Sequence, residues 1–253
     1  MARSREQAAE LVSSGQVRVP GRTSVKPATQ VEVGDPIVLA EAVGESFVSR
    51  GGHKLTGALD VFEGRGLAVA GRRALDAGAS TGGFTDVLLR RGAREVVCVD
   101  VGYGQLAWSL QTDERVEVRD RTNIRDLDLV TLGAPVELVV ADLSFIPLKL
   151  VLPVLAAVTT ADADLVPMVK PQFEVGREAL GSGGVVRDPA LRERAVTEVA
   201  RVAFDEHGLG TAGVTASPLP GPAGNVEYFL WLRRDAAPLD PAALRAAIEA
   251  GPA

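Results

Sequence analysis

The sequence predicts an α/β fold with a mostly parallel sheet flanked by helices. Three observations lead to this prediction. Apolar strands alternate with helices from about Ser46 onward, a short strand enters a glycine-rich loop at Asp76, and two strongly apolar strands each end at a charged residue. Such alternation is typical of parallel sheets, because two parallel neighbours need a long crossover connection between them.

Residues 1–45 are predicted to form a separate small α+β module, and residues 46–253 the larger domain. In the module, apolar spacing predicts a helix over 4–14, and short β-like runs follow it. About 40 residues is thin for an independent core, so we expect the module to lean on the domain that follows. The β-like runs are Val17–Val19, Val31–Val33 and Pro36–Leu39.

The larger domain is predicted to contain five strands, a closing β pair and several helices. The strands are Arg73–Asp76, Glu95–Asp100, Val116–Arg119, Val136–Asp142 and Asp164–Lys170, and the closing pair is Val214–Ser217 with Val226–Leu232. The helices are Phe84–Arg91, Leu106–Gln111, Leu148–Val158, one from Pro189 to His207 with Asp188 as its cap, and a short one after Asp240. Residues 176–184 are predicted to form a mobile loop and residues 217–225 a proline-set turn.

Composition excludes several classes of protein. With 46% hydrophobic and 24% charged residues the chain predicts a packed core, and a single cysteine excludes an internal disulfide and disfavours a metal site. We expect no membrane span, no signal peptide and a cytoplasmic location. The net charge is −6, yet residues 1–31 carry five Lys or Arg against two Glu, a local basic patch suited to phosphates.

The segment ALDAGASTGGFTDVLL has the layout of a nucleotide-type cofactor loop. Its glycines permit close approach of the backbone, and the helix that follows directs its N-terminus at the ligand. Asp100, about 20 residues on, is suited to accept both hydroxyls of a ribose, and Asp120 is expected near an adenine. The predicted cofactor-binding residues are Asp76, Gly78, Ser80, Thr81, Gly82, Gly83, Phe84, Asp100, Asp120 and Asp142.

The same loop permits a rival interpretation. Gly78, Ser80 and Gly82 match the G-x-S-x-G pattern of a hydrolase nucleophile. That chemistry needs a histidine late in the chain, and only His53 and His207 exist. His53 comes too early, and His207 lies at a polar helix end. The hydrolase hypothesis also leaves the acidic residues after the next two strands unexplained.

Four charged residues are predicted to lie at strand ends or nearby loops: Lys54, Asp142, Lys170 and Glu227. Pro171 cannot continue the β ladder, so the strand should end at Lys170. This set suits methyl transfer to a hydroxyl, which requires alignment and a nearby base or acceptor. A lysine at its ordinary pKa of roughly 10.4 is no base at neutral pH. Whether Lys170 removes the proton or steers the hydroxyl stays open.

At this point a family resemblance appears. The stretches FVSRGGHKL, LDAGASTGGFTDVLL, VDVGYGQLAWSL, ADLSFI, VKPQFEVG and GNVEYFLWL closely resemble the TlyA family of ribosomal RNA 2′-O-methyltransferases, also called hemolysins. The resemblance implies a Rossmann-like methyltransferase domain of the FtsJ/RrmJ type and the cofactor S-adenosyl-L-methionine. It implies a catalytic tetrad at Lys54, Asp142, Lys170 and Glu227. The implied substrate is cytidine in large-subunit and, in some members, small-subunit ribosomal RNA, with a link to capreomycin and viomycin sensitivity.

The amino-terminal module resembles the RNA-binding fold of ribosomal protein S-four, and it is expected to lack the first helix that relatives carry. A late start assignment and a reduced module both stay open. The expected RNA contacts are Arg3, Arg5, Arg18, Lys26 and Arg50, and the expected partners are ribosomal RNA or subunits, with no metal and no membrane. A membrane-lytic hemolysin and a non-catalytic RNA-binding protein are the alternatives, and the oligomeric state is left open.

Overall fold

The structure of the protein is a computed structural model that describes residues 8, 11–12, 17–22, 25–39 and 46–252. The chain divides into two compact units, Met1–Ser46 and Phe47–Ala253. The helix predicted over residues 4–14 lies outside the described residues except at positions 8, 11 and 12, which are helical. Arg3 and Arg5 also lie outside them.

The described part of the first unit contains a two-stranded antiparallel ribbon. Strand β1 (Val17–Arg18) pairs with β2 (Val38–Leu39). The strand predicted at Val31–Val33 was wrong, because these residues enter a turn. The Asp35 carboxylate accepts a hydrogen bond from the Glu32 backbone N–H at 3.0 Å, and the Asp35 N–H donates to the Glu32 carbonyl. An Asp side chain that bonds to nearby backbone in this way competes with strand pairing.

The second unit is built on a seven-stranded sheet. Its first five strands are parallel, and the last two close it in antiparallel pairing, so the predicted α/β fold is confirmed. The order across the sheet is β5-β4-β3-β6-β7-β9-β8. The strands are β3 (Arg73–Ala77), β4 (Glu95–Val99), β5 (Val116–Arg119), β6 (Val136–Ala141), β7 (Thr159–Val169), β8 (Gly210–Ala216) and β9 (Tyr228–Arg233).

Helices cover both faces of this sheet. Neighbouring strand residues such as Leu138 and Val139 belong to separate buried clusters, as expected when side chains alternate between two covered faces. The helices are α1 (Gly51–Glu63), α2 (Gly83–Arg90), α3 (Trp108–Gln111), α4 (Leu129–Leu132), α5 (Leu152–Ala157), α6 (Pro171–Glu174), α7 (Pro189–His207) and α8 (Pro241–Glu249).

Two segments differ from the sequence prediction in a way that has a local cause. The single helix predicted over Leu148–Val158 is a 3₁₀ turn at Leu148–Leu150 followed by α5. Pro153 has no N–H to continue a helical ladder, so an uninterrupted helix cannot run through it. The strand predicted from Asp164 begins at Thr159, because Val136 of β6 pairs with that residue.

Candidate active site

The four charged residues of the predicted tetrad come together at one edge of the sheet. Asp142 follows β6 and Lys170 follows β7, so both lie at the carboxyl ends of parallel strands, where such sheets bind ligands. Val169 is paired with Tyr228 in antiparallel register. Lys170 directly follows β7 and Glu227 directly precedes β9, so the two residues are neighbours across the end of this pair.

These residues form two ion pairs. Lys54 Nζ lies 2.6 Å from Glu227 Oε2, and both side chains are buried. Lys170 Nζ lies 2.6 Å from Asp142 Oδ1 and donates a hydrogen bond of 2.9 Å to Ser144 Oγ. Glu227 is almost completely buried, with only 1% of the residue exposed. Two lysines, each matched to a carboxylate, are thus held at a shared edge.

Lys54 is delivered to this edge by a helix, not by the strand end or loop that the sequence suggested. It lies in the first turn of α1, which begins with Gly51 and Gly52. A Cβ atom at Gly52 would collide with the Phe47 ring, and one at Gly83 would come within 2.9 Å of the Gly52 nitrogen. These glycines permit close packing of α1 and α2. Because glycine has a poor helix propensity, the start of α1 was not predicted from the sequence.

The glycine-rich loop between β3 and α2 has a backbone that only glycine tolerates at its two ends. Gly78 has φ +86°, and a Cβ there would lie 2.6 Å from the Asp142 carbonyl oxygen. Gly82 has φ +94°, and a Cβ there would overlap the Leu110 side chain. The loop therefore passes directly beside the residue that pairs with Lys170, and α2 begins immediately after it.

Asp76 places an unpaired carboxylate oxygen beneath this loop. The residue is fully buried, and its Oδ2 accepts a hydrogen bond of 2.7 Å from Thr85 Oγ1. Its Oδ1 has no hydrogen-bond partner among the described residues. Burial, reinforced by the nearby carboxylates of Asp142 and Asp100, raises the pKa of Asp76 from 3.8 to about 7. A buried acceptor without a partner is costly, which suits a site completed by a ligand.

The other predicted cofactor carboxylates hold the surrounding loops. Asp100 accepts hydrogen bonds from the backbone N–H groups of Ser80, at 2.8 Å, and Gly102, at 2.7 Å. Asp120 accepts one from the Gly104 N–H at 2.7 Å. The carboxylate after β4 thus joins the glycine-rich loop to the loop that leads to α3.

The remaining predicted cofactor residues line the same region. The Thr81 carbonyl accepts a hydrogen bond from the Ala107 N–H at the start of α3. The Phe84 ring packs against Phe229 of β9, with 5.9 Å between centroids. The prediction for these positions was a cofactor contact, and it stays a prediction.

The predicted RNA contacts lie in both units. Arg18 and Lys26 are exposed in the first unit. In the second unit Arg50 is exposed at the start of α1 and donates a hydrogen bond of 2.6 Å to the Pro220 carbonyl oxygen. An RNA-binding role for these residues stays a prediction.

The hydrolase interpretation finds no support in the geometry. Ser80 Oγ donates a hydrogen bond to Gln105 Oε1 at 3.3 Å, and His207 lies at the end of α7. Within the described ranges no group of three or more His, Cys, Asp or Glu residues could hold a metal ion. No helix of those ranges is long and apolar enough to cross a membrane.

Sequence reasoning missed three residues around the two ion pairs: Ser144, Gln172 and Glu174. Ser144 bonds to Lys170, and Gln172 Nε2 lies 3.5 Å from Glu227 Oε1. Glu174 accepts a hydrogen bond from the Leu148 N–H. All three stand within stretches rich in site residues, ADLSF and VKPQFE, but no periodicity separates them from ordinary surface residues.

The sheet is Rossmann-like, with a glycine-rich loop after β3, an acidic residue after β4 and charged residues at the ends of β6 and β7. Together these features define a class of protein, the methyltransferases. The model of the FtsJ-like methyltransferase family matches residues 47–234. The chain belongs to this family.

Individual relatives agree with this assignment. A 16S/23S rRNA (cytidine-2′-O)-methyltransferase TlyA from Mycobacterium tuberculosis is 60% identical over 92% of this chain and 85% of its own. The YqxC protein of Bacillus subtilis, named as an rRNA methyltransferase candidate, is 39% identical over 92% and 81%. A solved structure of a candidate hemolysin from Streptococcus thermophilus is 36% identical, has a TM-score of 0.80 and covers 98% and 90%. The resemblance to TlyA is confirmed.

Proposed function

We propose that the protein transfers a methyl group from S-adenosyl-L-methionine to the ribose 2′-hydroxyl of a cytidine in ribosomal RNA. The large-subunit RNA is the primary candidate substrate, and the small-subunit RNA is a second one. The observation that carries the proposal is the pair of lysine–carboxylate contacts, Lys54–Glu227 and Lys170–Asp142, beside the glycine-rich loop. The Mycobacterium tuberculosis relative, a 16S/23S rRNA (cytidine-2′-O)-methyltransferase, supports the same substrate.

The residues of the loop fit S-adenosyl-L-methionine. Asp76 offers a buried carboxylate oxygen that has no hydrogen-bond partner in the described part of the chain, which suits the ammonium group of the methionine part. Gly78 and Gly82 leave room that a Cβ would fill. Asp100 and Asp120 would meet the ribose and the adenine, with Ser80, Thr81, Gly83 and Phe84 completing the cradle. When bound, the cofactor supplies a methyl group already activated by its sulfonium.

The protein's own task is then to align and prepare the hydroxyl. An ammonium group has three N–H donors and no acceptor, and Lys170 directs contacts at Asp142 and Ser144. Its remaining donor is suited to the 2′-oxygen, so Lys170 steers the hydroxyl. The Asp142 carboxylate is an acceptor and would take a hydrogen bond from the hydroxyl group. Lys54 and Glu227 would line the other side of the site and hold the sugar in position.

RNA docking would fall to the amino-terminal unit. We assign residues 1–45 to an RNA-binding module of the S-four type and residues 46–253 to the methyltransferase domain. Arg3, Arg5, Arg18 and Lys26 would contact phosphates, and Arg50 would do so at the start of α1. A target nucleotide within a folded particle must be turned out of its stack, which costs a few kcal/mol that docking contacts would offset.

The test compares wild-type protein with Lys170→Ala on ribosomal subunits that lack the modification, in the presence of the cofactor. We expect wild-type protein to add a mapped 2′-O-methyl group to cytidine, and Lys170→Ala to lose that turnover while its cofactor affinity by calorimetry stays within about threefold of wild type. Lys149→Ala, an exposed lysine, is the matched control and should keep activity. Wild-type turnover in Lys170→Ala would contradict the assigned role.

A further inference from the structure

Glu174 is a largely buried carboxyl that the proposed reaction does not use. It is the last residue of α6, the short helix that directly follows Lys170. Its Oε1 accepts a hydrogen bond of 2.8 Å from the backbone N–H of Leu148. Leu148 itself is buried and opens the 3₁₀ turn that ends the loop after β6. Glu174 therefore fastens the end of that loop to the segment that carries Lys170.

The loop over residues 142–148, which we call the aspartate loop, holds a strained conformation. Phe145 has φ +63°, a region that costs a non-glycine residue roughly 1–3 kcal/mol and persists only when surrounding contacts impose it. Phe145 as a residue is 90% exposed, so its burial does not supply the restraint. The loop needs anchors at its two ends.

The two anchors are backbone N–H groups. At the start, the Asp142 N–H donates to the Ala77 carbonyl at 3.0 Å, which continues the β3–β6 pairing. At the end, the Leu148 N–H donates to Glu174. Between them the loop meets the Lys170 segment through flexible side chains, namely Lys170 with Asp142 and Ser144, and the rings of Phe145 and Phe173 at 5.3 Å.

We propose that Glu174 is a positioning residue for methyl transfer: its hydrogen bond to Leu148 keeps the aspartate loop against the Lys170 segment and so keeps Asp142 and Ser144 in place for Lys170. The inference rests on the function proposed above. Small displacements matter at such a site, since a misplacement of about 1 Å can cost on the order of a hundredfold in rate.

For this role, the side chain at position 174 must accept the hydrogen bond from Leu148, but it does not need a negative charge. Burial raises the pKa of Glu174 from 4.5 to about 7, although the hydrogen bond from Leu148 and the positive charge of Lys149 each act to lower it. A neutral carboxyl still offers a carbonyl oxygen as acceptor. The length of the Glu174 side chain and its charge can therefore be tested separately by substitution. Glu174→Gln keeps the reach without the charge, and Glu174→Asp keeps the charge but is one methylene too short.

The experiment measures kcat, KM for the cofactor and KM for the RNA in Glu174→Gln, Glu174→Asp and Glu174→Ala. Glu206→Ala, an exposed glutamate on α7, is the control. We expect the Asp and Ala variants to lose about tenfold or more in kcat while KM for the cofactor changes less than about threefold. Glu174→Gln should stay within about threefold of wild type. Wild-type kcat in Glu174→Asp, or equal loss in the Gln and Asp variants, would overturn the proposal.

Amide hydrogen exchange over residues 143–150 gives a second readout that needs no turnover. Exchange there should accelerate in the Asp and Ala variants and stay protected in Glu174→Gln, and unchanged protection in Glu174→Ala would refute the anchor itself. If the wild-type protein fails to methylate ribosomal RNA while the exchange pattern follows this order, the proposed function fails and the anchor stands. If methylation proceeds and exchange is unaffected, the anchor fails alone.

Discussion

The Lys54 ammonium and the Glu227 carboxylate lie 2.6 Å apart, although 173 residues separate them in the chain. Both residues are almost inaccessible to solvent, at 5% and 1% exposure. Burying two charges costs several kcal/mol per ion, and their attraction offsets this only in good geometry. Apolar residues of similar volume would often hold the fold as well, so the pair is better explained by the chemistry of the site than by stability.

Breaking this pair from one side should destabilise the protein strongly. Lys54→Met leaves the Glu227 carboxylate buried without its counter-ion, and we expect a loss of about 3–5 kcal/mol in the free energy of unfolding. The double variant Lys54→Met/Glu227→Leu should recover most of that loss yet remain inactive. Urea denaturation of the single and double variants checks this. A double variant as unstable as the single one would mean that the charge is not the cause.

The sequence allowed part of this site to be predicted, for identifiable reasons. A charged residue directly after an apolar strand must emerge at the sheet edge, and Pro171 marks the strand end, so Asp142 and Lys170 could be placed. Lys54 could not be placed, because the two glycines at the start of α1 are residues that do not predict a helix. Its pairing with Glu227 depends on how a helix packs across the sheet, which no local pattern encodes.

Asp100 should matter to cofactor binding through the loops that it joins. Replacing it by Ala leaves the N–H groups of Ser80 and Gly102 without their acceptor and removes the expected ribose contact. A loss of about 1–3 kcal/mol is typical for such groups, so cofactor affinity should fall roughly tenfold to a hundredfold. Calorimetry with S-adenosyl-L-methionine measures it, with the exposed Glu114→Ala as control. Unchanged affinity would move the ribose site elsewhere.

The buried carboxyl of Asp76 should give stability a defined pH dependence. Its pKa in the folded protein is raised from 3.8 to about 7, so between these values the folded state holds a proton that the unfolded state releases. The contribution of this group to the free energy of unfolding therefore falls as pH rises from about 4 to 7, and it is constant above pH 7. Asp76→Asn should remove this slope, so its stability relative to wild type grows with pH.

Urea midpoints at intervals from pH 4 to 8 test this prediction. The exposed Glu249→Gln is the control, and its difference from wild type should not follow the same course. Cofactor affinity should show the opposite trend in wild-type protein, because the ionised carboxylate is the form that pairs with an ammonium group. A parallel stability profile for wild type and Asp76→Asn would argue against a raised pKa.

Other parts of the fold escaped prediction for physical reasons of their own. Val31–Val33 has the β-branched composition of a strand, but the Asp35 carboxylate takes the Glu32 N–H into a turn. The loop at Gly78 and Gly82, by contrast, was predicted from its glycines and from its place between an apolar strand and a helix. The sequence could not show the neighbour of Gly78, the Asp142 carbonyl, which lies directly after β6 and 64 positions later in the chain.

That neighbour makes Gly78→Ala a sharp test of how the cofactor loop and the ion pair are joined. A Cβ at Gly78 would lie 2.6 Å from the Asp142 carbonyl oxygen, a backbone atom that cannot turn aside, and the backbone has φ +86°. Gly71 is the matched control, because it has φ +76° and no atom of the described residues lies within 4 Å of its Cβ position. Strain at φ alone costs about 1–2 kcal/mol, so Gly71→Ala should lose that much stability and keep its turnover.

Gly78→Ala should lose more than Gly71→Ala in a denaturation experiment, because contact with the Asp142 backbone adds to the strain. It should also reduce kcat by about tenfold or more, since the displaced Asp142 no longer meets Lys170. Equal stability loss in the two variants would show that the close approach is relieved without cost. Full turnover in a folded Gly78→Ala would separate the loop from the ion pair.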